Sequence, residues 1–146
     1  MQSQSQGGVL TPDLPDQGVI SFPDGLPGLD ESARFHLLRL DDVAPILLLQ
    51  DCDNDQISLP VVPVELIDPS YQLSMSDADW QTLGLPAGNA SRSDLLCLTV
   101  LVLPGADRPP TCNLLAPIVI NTRTLVAKQI LQVESDYPSV FPLTAG

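Results

Sequence analysis

Fifteen prolines in 146 residues constrain this chain more than any other feature. A proline has no amide hydrogen to give to a sheet ladder and disrupts a helix interior, so regular elements must start, stop or run along an edge beside it. The chain is thereby cut into short pieces, with no room for long helices. Those pieces read as strands over residues 19–22, 35–40, 46–50, 57–62, 95–103, 118–120 and 124–133. Short apolar runs separated by turn residues predict an all-β fold, either a small barrel or a sandwich. Ile57-Ser58-Leu59-Pro60-Val61 alternates cleanly, as a strand covered on one face does. Residues 95–103 are apolar on nearly both faces and belong in the middle of the sheet. Aromatic residues make up only 4% of the sequence, so the core must be built mainly from Leu, Val and Ile.

One helix is expected, over residues 77–83. Ser76 stands as its N-cap, Asp79 at the reciprocal capping position and Gly84 where it should end. Trp80 and Leu83 share one face and should seal this helix over an opening of the barrel. Residues 1–17 are rich in Gln, Ser, Gly and Pro and are expected to be poorly ordered, leaving one folded domain over residues 18–146.

Eighteen acidic residues against six basic ones give a net charge of −12, spread along the chain. Such a field repels phosphate. Arg34, Arg39, Arg92, Arg108, Arg123 and Lys128 are too few and too scattered to form the basic stripe that nucleic acid requires, so direct DNA or RNA contact is not expected. A basic protein partner would be attracted by the same field. Cys52, Cys97 and Cys112 are odd in number and widely spaced, which suits neither a disulfide framework nor a zinc site and fits a reducing compartment. No apolar stretch is long enough for a membrane-spanning helix, and the amino terminus has no signal-peptide character. The protein is therefore expected to be soluble and cytoplasmic.

Acid/base catalysis needs a proton-transfer group tuned near neutrality, and the only histidine, His36, sits in a strand with no Cys or acid at ligand spacing. No catalytic residue and no cofactor is assigned. The run Asp51-Cys52-Asp53-Asn54-Asp55 offers alternating oxygens as a calcium loop does, but it lacks the glycine at the sixth position and the glutamate at the twelfth, where Val62 stands. A hairpin turn is the commoner use of such residues. No metal site is assigned. A small β-domain that binds a metal or small ligand through Asp51, Asp53 and Asp55 is the alternative reading.

Two segments call for a specific role. In Phe22-Pro23-Asp24-Gly25-Leu26-Pro27-Gly28, two prolines fix φ and two glycines permit positive φ, which predicts a compact double turn. In Asn113-Leu114-Leu115-Ala116-Pro117-Ile118-Val119-Ile120-Asn121, a proline inside an apolar run points to a sheet edge or a bulge, and edges recruit partners. In the final strand, Gln129 shares a face with Leu125, Ala127, Leu131 and Val133, so its amide is either satisfied by backbone or lines a contact site with Asn113 or Asn121. The candidate partner-binding residues are Asn113, Leu114, Ala116, Pro117, Asn121 and Gln129.

These two segments carry a family resemblance. Ile20-Ser21 followed by the Phe-Pro-Asp-Gly-Leu-Pro-Gly turn resembles the amino-terminal signature of the FliW flagellar assembly factors, and Thr111-Cys112 leading into residues 113–121 resembles the later one. Between and after them, Leu49-Gln50, Val62-Pro63, Asp68-Pro69-Ser70-Tyr71, Ser76-Asp77, Leu83-Gly84-Leu85, Lys128-Gln129 and Asp136-Tyr137-Pro138 fall in the family's order. The resemblance implies a small antiparallel β-barrel with one short helix, monomeric when unbound, that acts by holding proteins rather than by catalysis. It implies two partners, flagellin and the translational regulator CsrA. Once flagellin is exported, the freed protein captures CsrA, and repression of flagellin synthesis is relieved. The sequence departs from the family where residues 7–17, with Pro12 and Pro15, replace a first strand, and at Leu29, where an aromatic usually stands.

Overall fold

The strand that is apolar on both faces is the one around which the fold is arranged. A computed structural model of the protein describes residues 18–26, 33–39, 45–54, 56–85, 94–103, 109–133 and 135–143. The disorder expected for residues 1–17, the second half of the double turn at Pro27 and Gly28, and Asp55 lie outside the described residues. In chain order the elements are β1 (Val19–Ser21), β2 (Arg34–Arg39), β3 (Leu47–Asp51), β4 (Ser58–Pro63), α1 (Val64–Ile67), α2 (Asp77–Leu83), β5 (Leu95–Val102), β6 (Thr111–Cys112), β7 (Ile118–Asn121), β8 (Ala127–Gln129) and β9 (Phe141–Pro142).

Strands β1 to β5 form an antiparallel meander in sequence order. The far side of β5 is shared: residues 95–98 pair with β7 and residues 101–102 with β6, which in turn holds β9. Strand β7 also pairs with β8. A parallel bridge between Ser21 and Val126, in which the Ser21 N–H donates to the Leu125 carbonyl at 2.8 Å, brings β1 back beside β8 and nearly closes an antiparallel barrel. The prolines sit where ladders permit. Pro60 lies opposite Leu48 of β3, before the pairing with β5 begins at Val61.

The period of two sorts β5 between two cores. Leu98, with Leu96 and Val100, points into the barrel and joins Ile20, Phe22, Leu26, Phe35, Leu49, Val61, Ile118 and Ile120 there. Cys97 and Leu101 point outward, where α1 and β6 cover one part of the wall and α2 the other. The first turn motif serves the lumen. The Gly25 N–H donates to the Phe22 carbonyl at 2.9 Å, and the turn drives Phe22 and Leu26 inward. Nothing crowds Gly25, so its φ of +70° is what requires glycine.

Helix α2 has the predicted bounds. The Ser76 Oγ accepts from the Asp79 N–H at 3.1 Å, Asp79 Oδ2 accepts from the Ser76 N–H at 3.0 Å, and Gly84 closes the helix at φ +73°. Its position differs from expectation: Leu83 packs on Val119 and Ile130 of the outer wall, not over a barrel opening, and Trp80 is only half-buried. That wall is apolar and needs covering, whereas the lumen is filled by its own strands. A second helix, α1, is a single turn of four residues, too short to leave a periodic trace. The long last strand is also corrected. Its regular part is residues 127–129, because Leu125 takes a left-handed φ of +61° in the tight β7–β8 connection. Its two faces alternate as expected: Leu125 and Ala127 face the lumen and Val126, Ile130 and Gln132 the outer cover, while Leu131 and Val133 run past the barrel into solvent at 55% and 77% exposure.

Candidate partner-binding surface

Residues 113–117 form a loop whose backbone polar groups are nearly all accounted for within the protein. Asn113 Oδ1 accepts from the N–H groups of Leu115 at 3.0 Å and Ala116 at 3.1 Å, which folds the loop over its own side chain. The Asn113 carbonyl accepts from the buried Thr99 hydroxyl at 2.7 Å, and the Leu114 carbonyl from the Tyr71 hydroxyl. The Leu114 N–H donates to Pro138, while the carbonyls of Leu115 and Pro117 accept from Gln132 and Ile130. The Ala116 carbonyl accepts from Gln129 Nε2 at 3.0 Å, so that amide is satisfied by backbone.

This accounting corrects the reading of the segment as a sheet edge. Strand β7 has β5 on one side and β8 on the other, and Pro117 precedes it, so the missing amide falls outside the ladder. Of the six candidate residues, Leu114, Pro117 and Asn121 are buried; Asn113, Ala116 and Gln129 remain partly exposed. The loop brings Asn113, Ala116 and Gln129 together through the contacts above. Asn121 stands apart at the far end of β7. Its Nδ2 donates to the Leu83 carbonyl at 2.7 Å, which completes the carboxyl end of α2, and its Oδ1 accepts from Arg123 and Thr124.

Three residues that matter here were not singled out from sequence. Gln132, 1% exposed, clasps the backbone of Ser74 with its amide: Oε1 accepts from the Ser74 N–H at 2.7 Å and Nε2 donates to the Ser74 carbonyl at 3.0 Å. Tyr71 and Tyr137 stack at 4.2 Å, and the Tyr137 hydroxyl accepts from the Gln72 N–H. Burial pushes the Tyr71 phenol well above its usual range, so it stays a neutral donor to Leu114. The one available signal was the place of Gln132 on the same face as Ile130, an amide among apolar neighbours. An open cleft of about 570 Å³ lies between residues 72–74 on one side and Gln132 and residues 135–137 on the other.

Among the described residues, one cluster of ion pairs centres on Lys128. Lys128 Nζ lies 2.7 Å from Asp79 Oδ1 and 3.6 Å from Asp24 Oδ2, joining β8 to α2 and to the first turn. Burial opposes the Asp79 charge, but hydrogen bonds from Lys128 and Ser76 outweigh it and hold the carboxyl below its usual value. The Asp51 run is the β3–β4 connection: Asp51 Oδ1 accepts from the Asp53 N–H and Asn54 Oδ1 from the Gln56 N–H. Gln50 Nε2 reaches across that turn to the Ile57 carbonyl at 3.1 Å. Among the described residues no group of three or more His, Cys, Asp or Glu is gathered as for a metal ion. No helix among them is long and apolar enough to cross a membrane. His36 is half-buried in β2, opposite Val19 and Gln50.

Comparison with known proteins gives a consistent result. The family model described as "FliW protein" matches residues 6–143. The flagellar assembly factor FliW of Pseudothermotoga lettingae is 35% identical over 126 residues, covering 86% of this chain and 78% of that protein. That of Bacillus subtilis is 25% identical over 130 residues, covering 89% and 88%. A crystal structure of the flagellar assembly factor FliW superposes with a TM-score of 0.78 at 24% identity, covering 88% of this chain and 86% of that one, a likeness of fold.

Proposed function

The chain belongs to the FliW family of flagellar assembly factors, and from that premise we propose that it works in the cytoplasm by binding flagellin and CsrA in turn, relieving CsrA repression of flagellin synthesis without catalysing a reaction. The observation that carries this reading is the family match over residues 6–143, which spans both signature segments. A net charge of −12 supports it, since an acidic surface favours capture of a basic RNA-binding protein while repelling its RNA. We place the partner contact on the partly exposed Asn113, Ala116 and Gln129, with Leu114, Pro117 and Asn121 shaping the surface from behind.

Purified protein mixed at micromolar concentration with CsrA, and separately with flagellin, should give complexes by light scattering. If neither forms, the proposal is wrong for this protein. A charge placed at Ala116 should weaken a complex without unfolding the chain; unchanged affinity in the folded variant would move the contact elsewhere.

A further inference from the structure

Residues 71–76 behave as a strand without a sheet. Their burial alternates strictly, with Tyr71, Leu73 and Met75 half-buried and Gln72, Ser74 and Ser76 exposed. Tyr71 packs into one outer core and Leu73 and Met75 into the other. On one side of this segment the place of a neighbouring strand is taken by side chains: Gln72 N–H donates to the Tyr137 hydroxyl at 2.8 Å, and Ser74 is clasped through both backbone groups by Gln132. In an extended chain successive residues direct their N–H and C=O groups to opposite sides, so those of Leu73 and Met75 face the other way. Among the described residues, neither has a backbone hydrogen-bond partner there. A row of such groups is a template for an added strand.

Charge selects what could fill it. Residues 64–85 carry Glu65, Asp68, Asp77 and Asp79 and contain no Lys or Arg. Lys128, the basic residue nearest to these acids among the described ion pairs, is already held by Asp79 and Asp24. We propose that residues 71–76 are a docking edge for an extended, cationic peptide segment, which pairs with the backbone of Leu73 and Met75 and sets its basic side chains among these acids. The inference rests on the reading that this chain acts by binding proteins, and it gives that reading a surface separate from the 113–117 loop.

The test uses the whole chain and three capped eight-residue peptides: one alternating Lys and Thr, its fully N-methylated counterpart with the same charge, and one alternating Glu and Thr. Amide hydrogen exchange is read by NMR. The first peptide should slow exchange at Leu73 and Met75 by about tenfold or more, and the other two should leave it unchanged. The inference is overturned if the first peptide gives no protection at millimolar concentration, if protection falls only on other residues, or if the N-methylated peptide protects equally. Complexes with CsrA and flagellin that form while these two amides stay unprotected by peptide would remove this inference alone. Peptide protection without either complex would remove only the proposed function.

Discussion

The barrel lumen and the layer outside its wall are both well buried, yet they are held by different physics. The lumen is mainly apolar, with Asp51 buried at its end opposite Phe35: Ile20, Leu49, Leu98, Ile118 and Ile120 are almost fully enclosed, and Phe22 meets Phe35 edge to face at 5.4 Å. Among the described residues, three of the four buried polar side chains, Thr99, Asn121 and Gln132, lie outside, each bonded to backbone of another segment. Strand ladders satisfy the backbone around the lumen. The outer layer covers the wall with α1, α2 and irregular chain, whose peptide groups have no ladder, so side chains must complete them. A fold can thus be apolar where its strands are regular and must be polar where its cover is not.

Variants on the two sides should separate these contributions. The largest effect is expected from Phe35→Ala. It empties a fully enclosed site beside Phe22 and should cost about 3–5 kcal/mol by urea denaturation, a large part of the total for a domain of this size. Gln132→Leu keeps the volume but leaves both backbone groups of Ser74 unpaired, for an expected loss of about 1–3 kcal/mol. Exchange at the Ser74 amide should rise in that variant while exchange in β2 and β3 stays slow. A uniform rise across both layers would show that lumen and cover open as one unit and would remove the distinction.

This division also decides what could be read in advance. An apolar run covering both faces exposed β5 as central, short apolar runs between turns marked β2 to β4, and the capping pattern around Ser76, Asp79 and Gly84 located α2 to the residue. Those signals are local. The role of Gln132 depends on Ser74, 58 residues away, and Tyr71 reaches Leu114 across 43, separations that leave no periodic trace. The edge reading of residues 113–121 failed for a related reason. A proline inside an apolar run shows that one amide is missing, but not that Pro117 falls just before β7 and outside its ladders. Leu125 shows the limit most directly: a leucine at positive φ contradicts local preference and is set by the closing contact with Ser21.

Two ion pairs sharpen the comparison at its smallest scale. Arg123 lies 3.1 Å from Asp94 with its side chain 77% exposed, whereas Lys128 and Asp79, at 22% and 15%, sit under the outer cover. An exposed pair gains little over water, so Arg123→Ala should change stability by less than about 0.5 kcal/mol. Asp79→Asn retains an oxygen for the Ser76 N–H and removes the charge facing Lys128, so it should cost about 1 kcal/mol at neutral pH. Because folding lowers the Asp79 carboxyl below 3.8, its contribution is complete above that value and is lost as pH falls through the lowered one. The stability curves of wild type and Asp79→Asn should therefore converge in acid. Curves that stay parallel through the carboxylate range would mean that the cost comes from the cap and not from the charge under the cover.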